Sequence, residues 1–231
     1  MTFSTRPFAA VPTVTVEQMR EVDRLMVEEA GISLPQMMEN AGRSLAAVVM
    51  TRDPGSPVTV LAGSGGNGGG GLVAARHLTN RGVDVAVTMA SDQLSPVTEM
   101  QLDIVREMGV PISGDPAPSA VVIDALIGYS LSGDPRGRTA ELIEWANSAD
   151  CQLVSLDVPS GVDATTGGAF DPAVAATATM TIALPKTGLG FSDLVGDLYL
   201  TDISVPITVY ATLGVAVPPD LFSSGQVLRL T

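Results

Sequence analysis

Apolar residues follow two rhythms along this chain. Between residues 14 and 30 they recur at helical spacing, with Met19, Val22, Leu25 and Met26 on one face. Thr15 and Gln18 stand three apart at its start, the spacing of a capping box. Gly31 marks a turn, and a second helical pattern runs on from about Pro35 through Met37, Met38, Ala41, Leu45, Val48 and Val49. From residue 58 the rhythm changes. Short, near-continuous apolar runs at 58–62, 83–89, 120–124, 152–157, 178–184 and 197–203 read as strands. Helical patterns at 71–81, 96–108 and 137–148 separate several of them. Strands apolar at successive positions belong to a sheet covered on both faces. Alternation with helices predicts an α/β fold of three layers with a mostly parallel sheet. Neither a repeat nor a linker divides residues 1–231, which read as one domain; the pattern is weakest after Pro206.

The densest chemical signal lies in VTVLAGSGGNGGGGLVAARHL, residues 58–78. A β-branched run stops at a burst of glycine, and a helical pattern resumes at Leu72. Gly63, Gly65 and Gly68 fit the spacing G-x-G-x-x-G in the strand–turn–helix context that the motif requires. Such a turn aims backbone N–H groups at a phosphate. A flexible glycine linker is the bland alternative, but a linker would not be bracketed by strand and helix. The usual dinucleotide fold next requires an acid at the end of the second strand, about 20 residues on, to hold a ribose. Here that run ends Val87-Thr88-Met89-Ala90, and Asp92 falls too late. The phosphate signal stands without the ribose signal.

In open α/β sheets, ligands bind beyond the carboxyl ends of the strands. Asp124 and Asp157 each close an apolar run and precede a turn-rich loop, in VVIDALIGYSLSGDPRG and VSLDVPSGVDATTG. Either could simply cap a turn; two converging on a glycine loop point to an active site or a cation site.

Composition narrows the partners. A net charge of −13 argues against nucleic acid, which needs a basic face, and against an anionic membrane surface, and no apolar run is long enough to span a bilayer. The N-terminus makes a poor signal peptide, so the cytoplasm is the expected compartment. The single cysteine, Cys151, forms no internal disulfide and reads as part of a buried strand; the single histidine, His77, reads as helix surface or half-buried, and together they make no zinc site. Lys186 is the one lysine among eleven arginines. It reads either as facing the ligand rim, near substrate or a carboxylate, or as a solvated loop lysine. Arg136 and Arg138 could meet a phosphate or begin a solvated helix.

The MENAG segment (residues 38–42), the glycine loop, DALIGYSLSGDPRG, DVPSGVDATTG, ALPKTGL and GDLYLTDISVP occur in the order found in the NAD(P)H-hydrate epimerases, the YjeF N-terminal-domain family, which this chain resembles over roughly residues 12–206. The resemblance implies a Rossmann-like three-layer sandwich, a homodimer, and interconversion of the R and S epimers of hydrated NADH and NADPH. It implies a potassium ion held by Asn67, Asp124 and Ser160, and no organic cofactor beyond the substrate. It places the phosphate-binding loop at Gly66, Asn67, Gly68, Gly69 and Gly70. Its substrate loop falls at Gly128, Tyr129, Ser130, Leu131, Ser132, Gly133 and Asp134, with Asp157 as acidic substrate contact and Lys186 at the family's proline–lysine site. No dehydratase domain is expected within these residues, so that partner enzyme would be a separate protein. The glycine loop departs from the family's G-x-G-N-N-G-G-D-G-L: Gly66 replaces an Asn and Gly70 an Asp, which would leave the loop more flexible. Inversion at a carbon bearing a hydroxyl and a ring nitrogen asks for an acid and for a negative environment. Asp157 is expected nearer the ring and Asp124 nearer the cation, against the alternative that both only hold the cation and loops. Two functional readings follow: an active epimerase, or a non-catalytic member that binds a nucleotide-like ligand as a regulatory or scaffold subunit.

Overall fold

The computed structural model describes residues 2–231. The N-terminal pattern yields α1, Val16–Glu28, and α2, Leu34–Arg52. Thr15 caps α1: its hydroxyl accepts from the Gln18 N–H while the Gln18 side chain accepts from the Thr15 N–H. The apolar runs become β2, Val58–Ala62; β3, Val85–Met89; β5, Val121–Ala125; β6, Gln152–Leu156; β7, Ala178–Ile182; and β8, Asp197–Thr201. Between them lie α3, Gly66–Thr79; α4, Pro96–Glu107; and α5, Gly137–Ser148.

These strands lie in one sheet in the order β8-β7-β6-β5-β2-β3, each parallel to its neighbours. The side chains of β2 explain the continuous apolar runs. Val58, Val60 and Ala62 pack with Leu45 and Val48 of α2 and with Leu72 and Leu78 of α3, while Leu61 packs on the other side with Leu142 and Ile143 of α5. Both faces are covered, so both strand parities are apolar. A third cluster joins α1 (Met19, Val22, Met26) to Leu198 and Leu200 of β8.

Three strands escape the sequence pattern. β4, Ile112–Ser113, forms one edge. At the other edge the chain ends meet: β9, Val227–Leu230, runs antiparallel to β8, and β1, Ser4–Arg6, pairs parallel with β9. Arg6 also pairs with Asp220, and Arg52 and Arg229 both pair with Asp197, tying this edge to α2. The tail adds a short helix, α6, Ile207–Thr212.

The glycine run differs most from expectation. Gly66 to Gly70 is not a loop but the start of α3, which begins five residues before the expected position of 71. Propensity disfavours glycine in a helix, but packing excludes anything larger at Gly68 and Gly71. A Cβ on Gly68 would stand 1.9 Å from the Gly63 carbonyl oxygen, and one on Gly71 2.5 Å from the Ala125 Cβ. The glycines let a helix lie directly against strand ends, and the helix fixes the backbone that was expected to be flexible.

Candidate functional site

The carboxyl ends of β2, β5 and β6 open into a cleft of about 780 Å³. It is lined by Ser64, Gly65, Gly66, Asn67 and the first turn of α4, Ser95 to Val97, and by Tyr129, Asp157, Ile182 and Asp23 of α1; Asn67 and Asp157 both approach Gly128. Met37, Met38 and Ala41 of α2 form part of the wall. Gly65 is the N-cap of α3 and offers no side-chain cap. The first N–H groups of α3 therefore lack intrahelical acceptors and face an exposed turn, the arrangement that receives an anion. The Thr98 hydroxyl of α4 donates to the Gly65 carbonyl, 2.8 Å, and steadies this end.

Asp157 follows β6 with a φ of +71°, a left-handed conformation that Asp tolerates better than most residues. Its Oδ2 accepts from the Tyr129 backbone N–H at 3.1 Å, and its Oδ1 pairs with Lys186. Asp157 is 2% exposed and Lys186 0%. The Lys186 ammonium also donates to the Ile182 carbonyl, 2.9 Å, and lies 5.8 Å from the centre of the Tyr129 ring. Lys186 is thus neither a solvated lysine nor part of the cleft wall. It sits behind Asp157 and compensates its charge.

Asp124 is built differently. It is 0% exposed, and its carboxylate accepts from the Ser155 hydroxyl (2.8 Å), the Ser160 N–H (2.9 Å), the Ser160 hydroxyl (2.6 Å) and the Leu126 N–H (3.2 Å). Burial pushes its pKa up, opposed by the hydrogen bonds from Ser160, Ser155 and Leu126. Among the described residues no Lys, Arg or His pairs with it. Asn67, on the cleft wall, has a buried Nδ2 with no partner. An amide's oxygen and nitrogen exchange by a flip, so the unsatisfied end of Asn67 suits a ligand. A buried carboxylate without a cationic partner, a serine hydroxyl and an unsatisfied amide are each a donor type that a hard cation accepts. No cluster of three His, Cys, Asp or Glu occurs among the described residues.

The expected substrate loop divides. Gly128, Tyr129 and Ser130 line the cleft, whereas Leu131, Ser132, Gly133 and Asp134 do not. Asp134 instead accepts from the Asp171 N–H, 3.2 Å. Of the glycine run, Gly66, Asn67 and Gly70 reach the cleft; Gly68 and Gly69 are buried within α3. Asp124 and Ser160 lie beneath the floor. Arg138 pairs with Glu141 and Asp115 at the start of α5, and His77 meets Glu39 at 2.7 Å, away from the cleft. Cys151 is half-buried just before β6 rather than within it.

Sequence reasoning missed Asp23. It lies on α1, lines the cleft, and accepts a hydrogen bond from the Tyr129 hydroxyl at 2.5 Å. Burial raises its pKa; the Tyr129 bond and Lys186 oppose that rise and Asp157 adds to it. Burial and Asp23 in turn push the Tyr129 phenol well above its ordinary range. Helical spacing carried a signal: Asp23 falls four residues after Met19 and three before Met26, on the buried face.

The sequence model of the YjeF-related protein N-terminus matches residues 34–188. An NAD(P)H-hydrate epimerase of Dehalogenimonas lykanthroporepellens is 47% identical over 238 residues, covering 99% of this chain and 97% of that protein. A bifunctional NAD(P)H-hydrate repair enzyme of Hyperthermus butylicus is 39% identical over 193 residues, which cover 78% of this chain and 36% of that protein. The crystal structure of yeast ynu0 superposes with a TM-score of 0.84 at 26% identity, covering 95% of this chain and all of that one.

Proposed function

The chain belongs to the YjeF-related N-terminal family, and from that premise we propose that it is an NAD(P)H-hydrate epimerase, an isomerase of metabolite repair. The observation that carries the reading is the cleft itself. It joins an uncapped, glycine-built helix N-terminus suited to phosphate with a buried carboxylate suited to a cationic ring.

In the hydrated cofactor, the carbon that inverts bears a hydroxyl and is bonded to the ring nitrogen. The C–O bond breaks as the nitrogen lone pair forms a C=N bond, and a proton goes to the departing oxygen, which leaves as water. Water then adds to the opposite face, loses its proton, and returns the electron pair to nitrogen. Asp157 faces the cleft and stabilises the positive charge that develops on the ring. Lys186 holds Asp157 in place from behind, and the Tyr129 N–H fixes its second oxygen. The N–H groups of Gly66 and Asn67 bind the pyrophosphate. Potassium, held by Asn67, Asp124 and Ser160, would neutralise the buried Asp124 and brace the loops that follow β5 and β6.

The substrate is NADHX or NADPHX. A homodimer in the cytoplasm completes the reading, with a dehydratase as functional partner; the bifunctional relatives' length leaves room for a second module. The non-catalytic alternative rested on Gly66 and Gly70, and the helix that contains both is fully formed without the family's side chains. The test is to incubate the protein with the dehydratase-resistant epimer and follow the epimer ratio by chromatography. Equilibration faster than in buffer supports the reading, and an unaccelerated ratio refutes it.

A further inference from the structure

Asp23 belongs to a part of the chain that the family match at residues 34–188 does not reach, yet it lines the same cleft as Asp157. The link between the two acids is Tyr129. Its backbone N–H donates to Asp157 and its hydroxyl donates to Asp23, so one residue is fastened at both ends. Between these contacts its ring lies over the Lys186 ammonium. Tyr129 stands on the stretch between β5 and α5, which has no helix or strand to hold it. Its backbone anchor fixes where the residue begins; the Asp23 contact is the hydrogen bond that fixes where the ring ends, alongside its packing on the apolar cluster of α1 and β8.

We propose that Asp23 is a positioning residue of the epimerisation: by gripping the Tyr129 hydroxyl it holds the aromatic ring as a wall of the reacting end of the cleft, over the Lys186–Asp157 pair. This rests on the epimerase reading and adds α1 to its active site. The ring screens Asp157 from water on that side. A carboxylate exposed to less water interacts more strongly with a developing cation. Asp23 acts through Tyr129, so the oxygen that accepts the hydrogen bond is what matters, not a proton delivered to substrate. Asn keeps such an oxygen on the same stem; Ala does not.

The experiment compares the wild type with Asp23→Ala, Asp23→Asn, Tyr129→Phe and the double variant Asp23→Ala/Tyr129→Phe, in epimerisation kinetics and in crystal structures. Asp23→Ala and Tyr129→Phe are each expected to lower kcat/KM by about tenfold, mainly through kcat, as for loss of one hydrogen bond to a charged group. The double variant should fall no further than the worse single, because both remove the same contact. Asp23→Asn should stay within about threefold of wild type, since a neutral acceptor keeps most of the grip. The ring should leave the cleft wall in the Asp23→Ala crystals and keep its place in Asp23→Asn. Loss in Asp23→Asn equal to that in Asp23→Ala, multiplying losses in the double variant, or an unmoved ring in Asp23→Ala would each overturn the proposal. If the wild type itself does not accelerate epimerisation, the functional reading falls, and the crystal comparison still decides whether Asp23 holds Tyr129.

Discussion

Replacing Asp157 by Asn changes two things, and they must be separated. The substitution keeps the shape, and Asn also tolerates the left-handed backbone at this position. It removes the charge that faces the cleft. It also strips the fully buried Lys186 ammonium of its carboxylate: Asn keeps one acceptor oxygen for two donors, Lys186 and the Tyr129 N–H, and the other partners of the ammonium are the neutral Ile182 carbonyl at 2.9 Å and Thr181 hydroxyl at 3.4 Å. Removing one partner of a buried ion pair costs about 3–5 kcal/mol, a large share of the roughly 5–15 kcal/mol that holds a domain together. At about 2–3 kcal/mol per molar urea for a chain of this size, the unfolding midpoint should fall by roughly 1–2.5 M. Lost turnover in Asp157→Asn would therefore not by itself implicate Asp157 in the chemistry.

Lys186→Met in the same chain resolves this. Replacing both members of a buried pair by uncharged groups of similar volume is often close to neutral, so Asp157→Asn/Lys186→Met should regain most of the lost midpoint. Urea unfolding followed by tryptophan fluorescence measures the stability, and chromatography of the epimers measures the turnover. A double variant as stable as wild type but inactive assigns Asp157 to the reaction. A stable and fully active double variant would refute the role given to Asp157 here. An unchanged midpoint in Asp157→Asn would refute the energetics.

Crystals soaked in rubidium should show anomalous density at Asn67, Asp124 and Ser160; density only elsewhere removes the cation from that site. Gly66→Asn should fold as wild type, because its Cβ meets nothing closer than the Met38 methyl at 3.7 Å, whereas Gly70→Asp should lower the melting temperature, its Cβ falling 2.8 Å from the Leu156 Cδ2. Arg52 and then Arg229 hold the Asp197 carboxyl below the usual aspartate range, so the stability it contributes is present at neutral pH and lost as pH falls through that lowered value. Asp197→Asn should accordingly melt below wild type at neutral pH, with the gap closing in acid; a gap that persists there would contradict the assignment.

The central strands were legible in the chain because a sheet covered on both faces leaves a near-continuous apolar record at Val58–Ala62 and Val121–Ala125. The edge strands leave no such record. Ser4–Arg6 is short and polar, and its partner lies more than two hundred residues away, at Leu228–Leu230, so only tertiary pairing defines it. The position of Asp157 on the cleft was legible for a related reason, since a carboxylate that closes a buried run stands where the sheet meets its rim; Asp124, read by the same rule, lies beneath the floor instead. Lys186 was marked by being the one lysine, but its direction was not, since burial behind Asp157 depends on the fold.

The glycine run shows most clearly why local rules mislead at such a site. By propensity, glycines in succession argue against a helix and for a flexible loop. Helix α3 nevertheless begins at Gly66, because only a helix without side chains on its inner face can approach Gly63, Met38, Leu156 and Ala125 so closely. The same packing that overrides propensity also orders the anion site before any ligand arrives. That reverses the expected consequence of the family's missing Asn and Asp. Their absence removes polar groups from α3 and the cleft, but the backbone amides meant for phosphate are already held in place. The departure should therefore appear in substrate affinity through lost side-chain contacts rather than in the order of the helix. Amide hydrogen exchange at Asn67 to Gly71 separates the two: protection in the ligand-free wild type equal to that in Gly66→Asn supports preorganisation, and protection gained only in the variant would restore the flexible-loop account.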